Sequence, residues 1–446
     1  MTADEMARLD ALLRVPSISA DPAHAPDMAR AAELVAEEVR RAGGTAEVRA
    51  GGGHPLVVGE VPASPGHPDA PRVILYGHYD VQPPGDPAAW TSPPFEPTVR
   101  DGDLYARGAS DDKGNLFMLV AAVQRLAAAG ELPVRAAFVV EGEEESGGTS
   151  ALDHLAADAE PALATIIFDS PMIAPGRPAI CTGVRGMVYR RVRVRSAPAD
   201  AHSGLFGGAA MNAAHALMAV LAAVVPHDGR LPDALYAGVA PAGPTEVAAW
   251  ADLPPGADAL AEAGLLPGDP GAADGFHMRT LASPSLDVHG LACGEPHAVK
   301  TNIPGTATAT LSLRLAPGQD APALAAVLDD LLRSGAPAGA EVEIEDLGVA
   351  LPAALDPDHP VLVAAADGIE RAVGRRPAPV RLGGTLPVVA VLAARGVPTV
   401  LTGFGLPDDG IHAVDEHVRV DHLGLGTRAA MEMLRALGAI GAPAPL

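Results

Sequence analysis

The segment RVILYGHYDV, which spans Arg72–Val81, decides the fold. It is an almost unbroken apolar run, as expected of a strand that is buried on both faces of a parallel sheet. Two further apolar runs, Val134–Val140 and Ala164–Phe168, predict neighbouring strands, and a helical pattern at Asp112–Ala129 follows the first strand. Strands that alternate with helices predict an α/β sheet. The active site of such a sheet lies beyond the carboxyl ends of its strands.

A different pattern interrupts this α/β order. In MVYRRVRVR, which spans Met187–Arg195, charged and apolar residues alternate, and this period of two predicts a half-exposed strand. Further strand and helix patterns complete a small α+β unit before the α/β pattern returns. We therefore predict an α/β domain with helices on both sheet faces, formed by residues 1–185 and 351–446. An inserted α+β lid is predicted for residues 186–350.

Composition excludes several classes of function. The chain has 446 residues, too many for one ordinary core, and carries 55 acidic against 31 basic residues, a formal net charge of −24. Nucleic acids and anionic membranes bind basic surfaces, so we expect neither as a partner. The two cysteines are too few for a disulfide framework, no apolar run is long enough to span a bilayer, and the first residues lack the pattern of a secretory signal. We therefore expect a cytoplasmic protein.

Polar motifs lie mostly where the predicted strands end. They are Gly77-His78-Tyr79-Asp80, Ser110-Asp111-Asp112-Lys113-Gly114, Glu143-Glu144-Glu145-Ser146, Asp169-Ser170 and Gly410-Ile411-His412. Each has an ordinary explanation by itself: a lone histidine is commonly a hydrogen-bonded structural residue, and an aspartate before a helix caps it. Together, however, they gather carboxylates at one edge of the sheet, where these repel each other unless cations lie among them.

The combined residues fit a centre of two divalent metals. Histidine nitrogens and carboxylate oxygens are the ligands that zinc accepts where no thiolate is available, and manganese or cobalt also accept them. One bridging aspartate, with a histidine and a carboxylate on each metal, accounts for His78, Asp111, Glu145, Asp169 and His412. Two of the carboxylates that are not ligands fit roles in hydrolysis. Glu144 can remove a proton from the water that the metals share, and Asp80 can orient His78.

The same motifs resemble those of the dinuclear zinc peptidase family that includes carnosinase-type dipeptidases, aminoacylase, succinyl-diaminopimelate desuccinylase and glutamate carboxypeptidase. The resemblance covers nearly the full length and rests on Gly77–Asp80, Arg107–Gly114, Glu144–Ser146 and His412. It implies that Asp111 bridges the two metals. His78 and Asp169 then bind one metal. Glu145 and His412 bind the other.

The resemblance also implies roles for residues around the metals. Glu144 is then the general base and acid, Asp80 the residue that orients His78, and the Asp111–Asp112 peptide bond is cis. The segment Asp200–Gly204 resembles one whose histidine, here His202, reaches the neighbouring subunit's active site and stabilises the oxyanion. The implied architecture is a zinc-peptidase-like catalytic domain with a lid that also serves as the dimerisation domain of a homodimer.

Further segments of the chain resemble those that bind the carboxylate of the substrate in the same family. The segments around Thr301 and Arg314 resemble those that supply a hydrogen bond and a guanidinium to the substrate carboxylate. The alternative for Arg314 is that it is only an exposed charge on a strand. Gly384 and Thr385 lie in a loop, before a predicted helix, that resembles one whose backbone amides and hydroxyl hold the same carboxylate. Helix N-termini favour anions generally.

The resemblance implies a hydrolase that cleaves peptide bonds. In the family, an aspartate at the position of Asp169 accompanies the dipeptidase branch, whereas a glutamate accompanies the carboxypeptidase and deacylase branch. We therefore expect a substrate that is a dipeptide or short peptide with a free C-terminal carboxylate. The alternative is an N-acyl amino acid deacylase. A more remote alternative is a relative of these enzymes that has no catalytic activity and serves as a binding protein.

Overall fold

The chain forms two compact units. The computed structural model describes residues 1–295, 297 and 300–441 of the 446-residue chain. Unit 1 contains residues 1–182, 355–380 and 391–441. Unit 2 contains the described residues of 183–354, together with 381–390.

The secondary structure alternates between strands and helices along the first part of the chain. The strands are β1 (Thr45–Arg49), β2 (Leu56–Val61), β3 (Arg72–His78), β4 (Thr98–Arg100), β5 (Asp103–Tyr105), β6 (Arg135–Glu141), β7 (Ala164–Phe168), β8 (Ala179–Val184), β9 (Gly186–Arg195), β10 (Ala201–His202), β11 (Ser285–Cys293), β12 (Asn302–Ile303), β13 (Thr306–Leu315), β14 (Glu341–Ala350), β15 (Ala353–Ala354), β16 (Ala378–Leu382), β17 (Thr399–Thr402) and β18 (His417–Arg419). The helices are α1 (Ala3–Leu13), α2 (Ala25–Arg41), α3 (Lys113–Ala129), α4 (Ser150–Ala157), α5 (Ser203–Phe206), α6 (Ala213–Ala222), α7 (Pro244–Trp250), α8 (Gly256–Glu262), α9 (Ala321–Ser334), α10 (Pro360–Val373), α11 (Pro387–Ala394) and α12 (Val420–Ile440).

Unit 1 is built around a six-stranded sheet with the order β1-β2-β6-β3-β7-β17. Strands β6, β3, β7 and β17 are parallel, and β1 and β2 add an antiparallel edge. Nearly every residue of the parallel strands is buried, although successive side chains point to opposite faces. Both faces of the sheet are therefore covered, as the sequence predicts. The predicted α/β class is confirmed.

The predicted strand at Arg72–Val81 ends earlier than its apolar run. Strand β3 stops at His78, and the chain then turns away from the sheet. The backbone N–H of Val81 donates to Ser17 O at 2.9 Å instead of continuing the ladder. This early exit leaves His78 at the carboxyl edge of the sheet, where its side chain can face the neighbouring strand ends.

Unit 2 is an α+β unit. Its antiparallel sheet has the order β11-β13-β9-β14, and helices α6 and α9 pack against it. Strand β9 alternates between buried and less buried residues, and its exposed side pairs with β14 through charged partners such as Arg191–Glu345 and Arg193–Glu343. One face therefore packs against the helices and the other meets solvent.

Residues 381–390, which begin with the last two residues of β16, lie in unit 2, although α10 and the first part of β16 lie in unit 1. The buried guanidinium of Arg381 explains this position, because its Nε donates to Glu246 Oε1 at 2.9 Å and its Nη1 donates to Ala240 O at 3.1 Å. These bonds hold the segment against α7 and the loop before it.

Helix α1 was not predicted from the sequence. It begins after Thr2, whose hydroxyl accepts from Glu5 N while the Glu5 carboxylate accepts from Thr2 N, a capping box. The Thr-x-x-Glu spacing is the signal that could have located it. In the part of the chain that the structure describes, no helix is both long and apolar enough to cross a membrane.

Candidate metal centre

The five predicted ligands all lie in unit 1, on loops at the carboxyl edge of the parallel strands. His78 ends β3, Asp169 directly follows β7, and Glu145 follows β6. Asp111 precedes α3, and His412 lies in the loop between β17 and β18. Gly77 allows α3 to approach β3, because a Cβ at this position would lie 2.8 Å from Asp112 Oδ2. Any larger residue at position 77 would therefore displace the Asp112 carboxylate at the start of the helix.

The ligands form two groups that share one residue. Nitrogen and oxygen atoms of His78, Asp111 and Asp169 lie within 4.8 Å of one another, and so do those of Asp111, Glu145 and His412. Asp111 Oδ1 lies 3.1 Å from His78 Nε2, and Asp111 Oδ2 lies 3.0 Å from His412 Nε2. Each oxygen of the shared carboxylate therefore faces a different histidine.

The donor atoms suit divalent cations. Each group offers one imidazole nitrogen and two carboxylates, a set that zinc, manganese and cobalt accept. Glu145 Oε1 is buried, has no hydrogen bond of regular geometry and lies 3.2 Å from His412 Nε2. Such an oxygen retains a lone pair for a cation. The residues present therefore fit the dinuclear site that the sequence predicts.

The electrostatics of the site also favour bound cations. Burial raises the pKa of Asp169 well above its ordinary value, and the negative charge of Asp111 adds to this effect. The hydrogen bond to Asp111 and the nearby carboxylate of Glu145 raise the pKa of His412 to about 10. Cations held among these carboxylates would offset the repulsion between Asp169 and Asp111.

Glu144 is a half-buried carboxylate next to the predicted ligand Glu145. Burial raises the pKa of Glu144 to about 7, and the charges of Glu145 and Asp111 act in the same direction, against the attraction of His78. A group with a pKa near neutrality can both accept and return a proton at physiological pH.

Asp80 contacts both halves of the site. Its backbone oxygen and its Oδ1 lie 3.1 and 3.3 Å from His78 Nδ1. Its Oδ2 accepts from the backbone N–H of Glu145 at 3.1 Å. Asp80 is fully buried, so these contacts restrain the ring of His78 and the Glu145 loop together.

Several supporting residues were not identified from the sequence. Gln82 Nε2 donates to Glu145 Oε2 at 2.9 Å, and the Glu143 carboxylate accepts from backbone N–H groups of Gly53, His54 and Ser150. The sequence signals were that Gln82 lies two residues after the Gly77–Asp80 motif and that Glu143 begins the Glu143–Ser146 motif. The Asp111–Asp112 peptide bond is cis, as the resemblance implies.

The remaining predicted residues lie in unit 2 and form two groups. Arg314 Nη1 donates to Thr385 Oγ1 at 2.7 Å, which also brings Arg314 near Gly384. His202 is exposed and pairs with Asn302 between β10 and β12, and the N–H of Ser203 donates to Thr301 O at 3.0 Å. The structure thus brings Arg314 together with Thr385, and His202 together with Thr301.

The chain is similar to known proteins along most of its length. Residues 74–436 match peptidase family M20/M25/M40. A cysteinylglycine-S-conjugate dipeptidase from Corynebacterium striatum is 32% identical over 378 residues, which cover 80% of this chain and 80% of the relative.

Two solved structures share the fold of the whole chain. Human carnosine dipeptidase 1 has 26% sequence identity and a TM-score of 0.77, with 98% of this chain and 96% of that chain covered. The metallo-carboxypeptidase Sso-CP2 from Sulfolobus solfataricus has a TM-score of 0.83 at 24% identity, with 98% and 100% covered. This chain is therefore a metal-dependent enzyme of peptidase family M20/M25/M40, within the branch that contains the dipeptidases.

Proposed function

We propose that this enzyme hydrolyses the peptide bond of dipeptides or short peptides that have a free C-terminal carboxylate. The observation that carries the proposal is the sharing of Asp111 by two histidine–carboxylate groups. The dipeptidase named above, at 32% identity, supports the choice of substrate class. An aspartate rather than a glutamate at position 169 supports the same choice.

The proposed ligands are the five residues of the two groups. His78 and Asp169 would hold one ion, Glu145 and His412 the other, and Asp111 both. Zinc is the first candidate, and manganese and cobalt suit the same donors. When bound, the two ions lower the pKa of a shared water and polarise the scissile carbonyl.

Glu144 carries the proton in the proposed reaction. Its carboxylate accepts a proton from the attacking water and then returns it to the nitrogen of the leaving amine. The half-buried position of Glu144 and its raised pKa support both steps, because the group changes protonation state near neutral pH. Asp80 keeps the His78 ring in one orientation while the proton moves.

Unit 2 supplies substrate-binding groups in this proposal. The guanidinium of Arg314, the Thr385 hydroxyl and the backbone N–H of Gly384 would bind the C-terminal carboxylate of the substrate, with a further hydrogen bond from Thr301. His202 would stabilise the oxyanion in the active site of a second subunit, a contribution typically worth about 3 kcal/mol. The proposed roles are thus a catalytic unit 1 and, in unit 2, a lid that forms the interface of a homodimer. The proposed location is the cytoplasm.

Replacement of Glu144 tests the chemical step. We expect Glu144→Ala to bind the same amount of metal as the wild type and to lose nearly all turnover, because the substitution removes the carboxylate that carries the proton in the proposed reaction. Elemental analysis and a dipeptide assay with added zinc or manganese measure the two quantities. Activity at the wild-type level would contradict the role of Glu144.

A substrate panel tests the reaction class. The wild-type enzyme, supplied with metal, is assayed on dipeptides and on N-acetyl and N-succinyl amino acids. Chelator-sensitive cleavage of dipeptides is the expected result. Cleavage of the acylated compounds alone would identify a deacylase instead. Metal-loaded protein that cleaved neither set of compounds would indicate a binding protein without catalytic activity.

A further inference from the structure

A buried ion pair, Arg107–Glu416, lies next to the candidate metal centre in unit 1. Arg107 Nη1 donates to Glu416 Oε2 at 2.7 Å, and the two residues are 1% and 0% exposed. Neither residue is a proposed ligand, and neither takes part in the proposed proton transfer. Burying a pair of opposite charges this completely costs free energy unless further hydrogen bonds offset the loss of solvation.

The carboxylate of Glu416 fixes the backbone of the loop that ends in Asp111. Its Oε1 accepts from the N–H groups of Ser110 and Asp111, each at 3.0 Å. Its Oε2 accepts from the N–H of Gly108, also at 3.0 Å. Three backbone donors of one short loop therefore converge on a single side chain.

The guanidinium of Arg107 contacts the loop that carries His412. Its Nη2 donates to Ala413 O, one residue after His412, at 3.1 Å. The backbone adds a parallel restraint, because Ala106 N donates to Glu416 O at 3.1 Å, immediately beyond the pairing of β5 with β18. The pair thus joins the Asp111 loop to the His412 loop.

We propose that the Arg107–Glu416 pair consists of positioning residues that set Asp111 and His412 at the separation needed for one carboxylate to serve two metal ions. The inference rests on the proposed metal centre. A bridging carboxylate cannot shift without weakening its bonds to both ions, so residues that fix its backbone control the affinity of the whole site.

Glu416→Gln tests this role with little change of shape. A glutamine has only one oxygen, so its amide NH2 must face either the two donors of Ser110 and Asp111 or those of Gly108 and Arg107. We expect metal affinity to fall about 10–100-fold, the usual effect of losing a partner that orients ligands. Competition of metal-free protein with a chromophoric chelator, using zinc alone and manganese alone, measures this affinity.

Glu5→Gln is the matched control, because it makes the same substitution in another Arg–Glu pair of unit 1. Glu5 accepts from Arg125 Nε and Nη2 at 2.8 and 2.6 Å and lies outside the candidate site. We expect this variant to keep the wild-type metal affinity. An equal loss of affinity in both variants would overturn the proposal, since the effect would then be general destabilisation.

Arg107→Lys provides a second measurement if Glu416→Gln does not fold. A single ammonium cannot reach Glu416 and Ala413 O together with the geometry of a guanidinium fork. We expect metal affinity to fall at least tenfold in this variant. If either variant folded and kept the wild-type metal affinity, the positioning role would be overturned, but the metal centre would not. Wild-type protein that binds no zinc or manganese would overturn the metal centre itself, so the two failures are distinguishable.

Discussion

At the scale of the residue, the two oxygens of Asp111 determine what the site can do. One oxygen faces His78 and the other faces His412, at 3.1 and 3.0 Å. The residues that it joins come from separate parts of the chain, and Asp111 is the member that the two groups share. The backbone N–H of Asp111 is in turn held by Glu416. Function at this site therefore depends on how precisely one carboxylate is oriented.

A prediction at this scale concerns Glu5 and the stability of the fold in acid. The hydrogen bond from Arg125 lowers the pKa of Glu5 from 4.5 to about 2. Because the folded-state pKa lies below the unfolded value, the stabilisation is fully present above about pH 4.5 and is lost as the pH falls toward 2. We expect Glu5→Gln to lower the free energy of unfolding by about 1 kcal/mol at pH 7 and by progressively less below pH 4.5.

Urea unfolding of both proteins across this pH range measures the difference. Asp4→Asn is a suitable control, because Asp4 is an exposed partner of Arg8 in the same helical turn and should change stability by only a few tenths of a kcal/mol. A difference between wild type and Glu5→Gln that did not vary with pH would contradict the assigned pKa.

At the scale of the element, β3 is the strand on which the site depends. It lies between β6 and β7, where Leu75 pairs with Phe138 and with Ile166, and Leu75 is fully buried. We expect Leu75→Ala to lower the free energy of unfolding by about 2–5 kcal/mol, because it leaves a cavity in a closely packed sheet. Chemical denaturation followed by circular dichroism measures this loss.

Val99→Ala is the control for this prediction. Val99 lies on β4 of the same unit and is 58% exposed, so its truncation should change the free energy of unfolding by less than about 0.5 kcal/mol. If both variants unfolded at the same denaturant concentration, β3 would not be the packed centre of the sheet.

At the scale of the whole molecule, the proposed homodimer can be tested by mixing two inactive variants. If His202 serves the site of the other subunit, a heterodimer of Glu144→Ala and His202→Ala contains one complete active site. We expect about a quarter of the wild-type activity after the variants exchange subunits, since half of the dimers are then mixed and each has one complete site of two. Assays of the mixture and of each variant alone measure this recovery.

Sedimentation of the wild-type protein is the companion measurement. The expected species is a dimer, and the proposal fails if the active enzyme is a monomer. Recovery without any dimer would also exclude His202 as the shared residue, because a monomer has no second subunit to complement it.

The sequence by itself predicted the sheet and its polar edge. The runs that became β3, β6 and β7 are local patterns of apolar residues, and hydrophobic burial of consecutive residues is enough to define such strands. The motifs at the ends of these strands are also local. Since the carboxyl ends of parallel strands meet at one edge, their grouping could be predicted without coordinates.

Only the tertiary structure revealed what holds the motifs in place. Glu416 accepts from Asp111 N across 305 positions of the chain, and Arg381 meets Glu246 across 135. No periodicity or motif links residues at such separations, since the pairing depends on which loops folding brings together. Buried charges form specific bonds only after their partners arrive and water leaves, so the contacts that position the site are properties of the folded chain.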